Sequence, residues 1–194
     1  MGKSVENYSK KSELIRDTAK RLFLENGYGA TSMDTVAKES GVTKQTVYRY
    51  YPSKEELFSA VLGSMCEEYG GYVFGRHGVL EELIRFAEDF ITLHMQKQRL
   101  TLYRMMIAEG GAETGIGMLF KNFNQSRRKK NLVEYLRDRV GVKEPERYAD
   151  MFCAMLLYSR AQILMGNEEI PDAEEIRNIS QTAVEIFING LLSL

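Results

Sequence analysis

Apolar residues recur three and four positions apart along most of the chain, the spacing of one buried face per helix, and no stretch reads as a strand. The pattern predicts a first helix over residues 11–26, with Leu14, Ile15, Ala19, Leu22 and Phe23 on its apolar face and Gly27 ending it. The residues before it read as a disordered polar arm carrying Lys3, Lys10 and Lys11. Two short helices follow within residues 32–54, SMDTVAKESGVTKQTVYRYYPSK. Val36 and Ala37 share a face of the first, while Val47 and Tyr51 point back from the second. Gly41 makes the corner, because a residue without Cβ tolerates φ > 0 and clears the following helix. Val42 fills the inside of the turn. Pro52 forces its predecessor out of the helical region, and Ser53 with Glu56 makes a capping box that opens a fourth helix over residues 53–69. After a loop with Gly70, Gly71, Gly75 and Gly78, helices are predicted over residues 79–96, 101–109, 117–140, 146–165 and 172–192. The fold class is therefore all-α, with about nine helices.

Residues 32–54 meet the demands of a helix-turn-helix, whose second helix enters the DNA major groove. Thr43 is a good N-cap for a helix beginning at Lys44. The outward positions of that helix are Lys44, Gln45, Thr46, Tyr48, Arg49 and Tyr50, with no acidic residue among them. Gln pairs bidentately with adenine, and Thr hydrogen-bonds a base edge or touches a thymine methyl. Lys44, Tyr48, Arg49 and Tyr50 are donors suited to phosphate oxygens. Lys54, in the first turn of the following helix, can also reach a phosphate. Glycine corners between helices are common, so an ordinary hairpin with a solvated polar face competes with this reading.

The flanks decide between the two. Residues 11–56 resemble the DNA-binding domain of the TetR (tetracycline repressor) family: IRDTAKRLFLENGYGATSMDTVAKESGV, then TKQTVYRYYPSKEELFSAV. Phe23, the GYGAT junction, Tyr48, Tyr51 and the SKEEL helix start all fall in register. The resemblance implies that the third helix reads the groove and that a lysine opening the fourth holds phosphate. The matching positions here are Lys44 to Tyr50 and Lys54. Some members carry a phosphate-contacting Thr where this chain has Met33, which leaves Thr31 and Ser32 as weaker candidates there. The expected DNA-binding set is Thr31, Ser32, Thr43, Lys44, Gln45, Thr46, Tyr48, Arg49, Tyr50 and Lys54.

Charge agrees with one DNA-facing end. The 194 residues sum to −1, yet residues 1–54 hold 10 basic and 6 acidic side chains and the remainder 16 and 21. The run Arg127 to Lys130 reads as a solvated helix face rather than a second patch. Cys66 and Cys153 form no metal or redox spacing, and no apolar run approaches a membrane span. The opening residues lack the apolar core of a signal peptide, so a cytoplasmic protein is expected. Two histidines, His77 and His94, without a Glu-x-x-His pattern, a phosphate loop or a nucleophile elbow, speak against an enzyme, a metal or a cofactor.

The last two predicted helices are apolar on more than one face, which suggests a subunit interface as well as a core. The family resemblance implies the same, since these helices usually pair with their twins. The ending QTAVEIFINGLL resembles members with an AefR-like C-terminal domain. Among the many Met and aromatic residues, Phe90, His94, Tyr103, Met106, Phe120, Phe123, Tyr158 and Gln162 are candidates to line a ligand pocket, although core packing explains each singly. Residues 1–52 are thus expected to be a three-helix, helix-turn-helix DNA-binding domain, and residues 53–194 a helical ligand-binding and dimerisation domain. The implied function is a homodimeric, ligand-responsive repressor that binds a palindromic double-stranded operator and leaves it on binding a small-molecule inducer. An architectural DNA-binding protein without inducer and a helical partner-binding protein are the alternatives.

Overall fold

A computed structural model describes residues 2–67, 70–75, 77–109 and 127–192. Ten α-helices and no strand occur among the described residues. In chain order they are α1 (Gly2–Asn26), α2 (Met33–Glu39), α3 (Lys44–Tyr50), α4 (Lys54–Glu67), α5 (Val79–His94), α6 (Lys97–Glu109), α7 (Arg127–Tyr135), α8 (Pro145–Leu156), α9 (Arg160–Met165) and α10 (Ala173–Leu192). They fall into two compact units. Residues 104–109 of α6 cluster with α1–α4, and residues 97–103 with the rest.

The first unit is built on α1. Ile15, Ala19, Leu22 and Phe23 form its buried stripe, closed by Val36 and Ala37 of α2, Val47 of α3, and Leu57, Phe58 and Val61 of α4. Phe58 meets Phe23 and Tyr28 edge-on, with ring centroids 5.1 and 5.0 Å away. Two expectations for α1 need correction. Leu14 is exposed, because it lies off the 15, 19, 22 stripe by a full helical step. The helix also begins at Gly2 rather than residue 11; no glycine or proline stands between residues 3 and 26, so nothing in the backbone stops the ladder.

Gly41 has φ +67°, and a Cβ built there meets nothing within 4 Å. The corner thus needs glycine for its left-handed backbone, and the expected steric clearance plays no part. Gly41→Ala should destabilise the protein by about 1 kcal/mol, read from urea melts, while a bulkier residue costs little more. An unchanged midpoint would show that the corner relaxes.

In the second unit α5 is the central element. Leu83, Phe86, Ala87, Phe90 and Ile91 are buried against Leu132 and Tyr135 of α7, Phe152 and Leu156 of α8, and Val184 and Phe187 of α10. Phe152 stacks on Phe187 at 4.6 Å. Glu82, also buried, accepts the backbone N–H groups of Gly75 (3.2 Å) and His77 (2.8 Å), which fixes the loop ahead of α5. Helix α7 runs on into a wider π turn, Leu136–Val140. The part of the expected 117–140 helix before residue 127 lies outside the described residues.

The single helix expected over residues 146–165 is two. The N–H groups of Leu157, Tyr158 and Arg160 bond to the carbonyls three residues back, at 3.2, 3.3 and 3.1 Å, and this tightened turn separates α8 from α9. That break accounts for the tenth helix. Asp172 caps α10 by accepting the N–H groups of Glu174 and Glu175 at 3.0 and 2.9 Å.

Candidate nucleic-acid interface

Helices α2 and α3 are seven residues each, too short to persist without caps and core contacts. Ser32 accepts the Thr35 N–H at 3.0 Å, and Thr43 accepts the Thr46 N–H at 3.2 Å. Ser40 returns its hydroxyl to the Val36 carbonyl at 2.6 Å. Helix α3 is anchored by fully buried Val47 and by Tyr51, whose hydroxyl donates to the Ser12 carbonyl (3.1 Å) and lies 2.8 Å from the Ser12 hydroxyl. With those two side chains turned inward, helical spacing leaves Lys44, Gln45, Tyr48 and Arg49 exposed and Thr46 half-buried.

Lys54 is placed by the GYGAT junction. Its ammonium donates to the Gly29 carbonyl at 3.3 Å and sits 4.1 Å above the Tyr28 ring. Tyr28 in turn donates its hydroxyl to Glu55 at 3.0 Å. The Glu55 backbone N–H and the hydroxyls of Tyr28 and Ser53 hold the Glu55 carboxyl below the usual carboxylate range. Ser53 accepts the Glu56 N–H at 3.1 Å, which starts α4 where the capping pattern puts it. An open groove of about 520 Å³ lies between the α2 start, α3 and the α4 start, lined among others by Ser32, Asp34, Lys44, Tyr48, Ser53 and Lys54.

Three members of the expected set are placed differently from the others. Thr31 is buried at the edge of the groove, and its hydroxyl donates to the carbonyls of Leu22 (3.2 Å) and Gly27 (2.8 Å), so that hydroxyl holds the α1–α2 junction. Tyr50 is half-buried beside Tyr8 rather than outward. Lys44 is exposed but lies 2.7 Å from a carboxylate oxygen of Asp34, which raises its proton affinity through hydrogen bond and charge. Asp34 was missed because reading α3 alone shows no acid; the partner comes from the first turn of α2. Met33 is buried, so the position where other chains present Thr points into the core here.

The candidate pocket residues of the second unit separate as well. Phe90, His94 and Tyr103 are buried together, with centroids 4.0 Å apart for the first pair and 6.5 Å for the second. The Arg160 guanidinium lies 4.5 Å over the Tyr103 ring, a neighbour the apolar pattern could not reveal. Tyr158 and Gln162 are exposed, and Gln162 accepts the Asn167 amide at 2.9 Å. The buried positions Phe152, Leu156, Ser159 and Ile163 keep helical spacing across the tightened turn, and Tyr158 and Gln162 each lie one residue off that stripe. Met106 is buried with the first unit; Phe120 and Phe123 lie outside the described residues.

Burial, then the charges of Arg99 and Arg160, push the His94 imidazole down to about 3, against its Phe90 carbonyl hydrogen bond of 2.8 Å. An unfolded histidine titrates near 6.5. The neutral ring therefore contributes stability that is whole above about pH 6.5 and is lost as pH falls toward 3, by up to about 1.4 kcal/mol per pH unit. His94→Gln should flatten that acid limb in urea melts between pH 7.5 and 4. Equal limbs in both proteins would exclude a buried neutral His94.

Among the described residues no cluster of three or more His, Cys, Asp or Glu is arranged to hold a metal, and no helix is long and apolar enough to cross a membrane. The family model for bacterial regulatory proteins of the tetR family matches residues 15–61, and that for the C-terminal domain of AefR-like transcriptional repressors matches residues 81–190. The HTH-type transcriptional regulator YuxN of Bacillus subtilis is 27% identical over 198 residues, which is 93% of this chain but 64% of that protein. The chain thus spans a little under two thirds of that relative. Among solved structures, the Flavonoid-responsive Regulator FrrA superposes with a TM-score of 0.80 at 26% identity, over 94% of this chain and 97% of the other. A TetR transcriptional regulator of Agrobacterium tumefaciens gives 0.71 at 22% identity, over 93% of each.

Proposed function

The chain belongs to the TetR family of bacterial regulatory proteins, and we propose that it acts as a cytoplasmic homodimeric repressor that binds a palindromic double-stranded operator and is released by a small-molecule inducer. The carrying observation is the exposed face of α3, basic and polar with Asp34 of α2 paired to Lys44 at its edge, held in place from behind by Val47 and Tyr51. On it Gln45 and Thr46 are the base readers, and Lys44, Tyr48 and Arg49 are phosphate anchors, joined from outside α3 by Ser32, Thr43 and Lys54. Residues 1–52 supply this DNA-binding part, closed by α4, which packs Phe58 on it and brings Lys54 to the groove, and the rest of residues 53–194 supply the ligand-binding and dimerisation part. The exposed apolar side chains of α8–α10 suit the subunit interface.

For the inducer, the buried rings of Phe90, His94 and Tyr103 favour a flat aromatic molecule. The likeness to a flavonoid-responsive regulator points the same way. A ligand that binds the DNA-incompetent state preferentially lowers operator occupancy by linkage. Selection of bound fragments from a random DNA pool, followed by salt titration, tests the first half of this reading. An inverted repeat with steep salt dependence is expected. Binding spread over any sequence would favour an architectural protein, and no salt-sensitive binding would favour a protein partner.

A further inference from the structure

Helix α1 runs back to Gly2, so residues ahead of the expected helix start carry a surface of their own. Tyr8, Ser12, Ile15 and Ala19 follow one another at helical spacing on one side of α1. Ile15 and Ala19 enter the core, and Ser12 bonds to Tyr51 at the C-terminal end of α3. Tyr8 continues this line outward. Its ring centroid lies 4.4 Å from that of Tyr50, tilted by 42°, and the Arg49 guanidinium lies 5.3 Å from the Tyr50 ring on α3.

We propose that Tyr8, acting through the ring of Tyr50, is a positioning residue that holds Arg49 ready for a DNA phosphate. The proposal rests on the reading of α3 as the DNA-contacting helix. An arginine side chain gives up much rotamer freedom when it meets a phosphate, and a ring that already holds the guanidinium removes part of that loss beforehand. Tyr50 can hold it only while its own ring is fixed, and the Tyr8 ring packs against it at a tilt. Tyr8 itself is 52% exposed, so it closes little of the core. It lies outside residues 15–61, and nothing in the helix-turn-helix pattern points to it.

The test uses the full chain on the selected operator. Tyr8→Ala should weaken binding roughly two- to fivefold, the range of an exposed cation–aromatic contact. Tyr8→Gln, a good helix former without a ring, should reproduce that loss, and Tyr8→Phe should bind as the unaltered protein does. In an Arg49→Ala background the Tyr8→Ala loss should vanish. Unchanged affinity in Tyr8→Ala, a Tyr8→Phe protein as weak as Tyr8→Ala, or an equal loss with and without Arg49 would each overturn the proposal. Arg49→Ala alone separates the two levels: it should lower the salt slope by about one. If it leaves slope and affinity unchanged, the anchor role of Arg49 fails and the proposal with it. If it lowers both and only the coupling to Tyr8 is missing, the positioning role fails alone.

Discussion

Ile186→Glu and Met151→Glu should each turn a dimer into monomers and cost operator affinity a hundredfold or more, with the recognition helix untouched. Met151, Tyr158, Met165 and Ile186 are 54, 64, 63 and 58% exposed on α8, the turn after it, α9 and α10. Among the described residues Val73, Leu80 and Ile107 are as exposed, but Met151, Tyr158 and Met165 recur every seven residues, the spacing of one helix face offered to a partner. A second copy is the fitting partner, since a two-fold interface brings the same patch to itself and sets two DNA-binding heads on two half-sites. A carboxylate placed there must be desolvated on association, which opposes it by several kcal/mol. Losing the second head removes an effective concentration in the millimolar range, hence the drop of about 10² to 10⁴. Light scattering at micromolar concentration and operator titration measure the two effects. A wild-type monomer, or a variant that stays dimeric and binds normally, would exclude this interface.

What could be read from the sequence was punctuation and single-helix chemistry. Gly27, Gly41, Pro52 and Ser53 end and start helices where their backbone preferences put them, and Val47 and Tyr51 turn inward as the period requires. What could not be read depends on neighbours or on small terms in sum. The start of α1 carries no breaker and no strong cap, so propensity alone left it open. The break after Leu156 has no glycine or proline; three backbone bonds that reach back three residues instead of four make it. The buried stripe nevertheless passes through it at helical spacing, Phe152, Leu156, Ser159 and Ile163, and Tyr158 and Gln162 face water because each lies one residue off that stripe. Thr31 looked like a surface hydroxyl because its acceptors, the carbonyls of Leu22 and Gly27, are invisible in a residue pattern. Asp34 beside Lys44, Arg160 over Tyr103 and Tyr8 on Tyr50 are meetings between helices, and periodicity describes one helix at a time.

The other large effect separates base reading from anchoring. Gln45 is exposed in the first turn of α3, where a side chain can lie along a base edge. Its amide offers a donor and an acceptor at once, the pair adenine presents in the major groove. Gln45→Ala should therefore cost about 1–3 kcal/mol on the best operator and relax preference at one base position per half-site. Lys54 starts the next helix, with its ammonium held over the Tyr28 ring and against the Gly29 carbonyl. From there it can add charge to a phosphate contact but cannot tell one base from another. Lys54→Ala should weaken matched and scrambled DNA alike and lower the salt slope by about one. Tyr48 and Arg49 should follow Lys54, being placed to flank the groove. Because Lys54 also ties α4 to the α1–α2 junction, a melting curve must first show that Lys54→Ala folds. Isotherms on matched and scrambled operators at several salt concentrations then decide. A Gln45→Ala protein that keeps its base preference, beside a Lys54→Ala protein that changes it, would put the wrong helix in the groove.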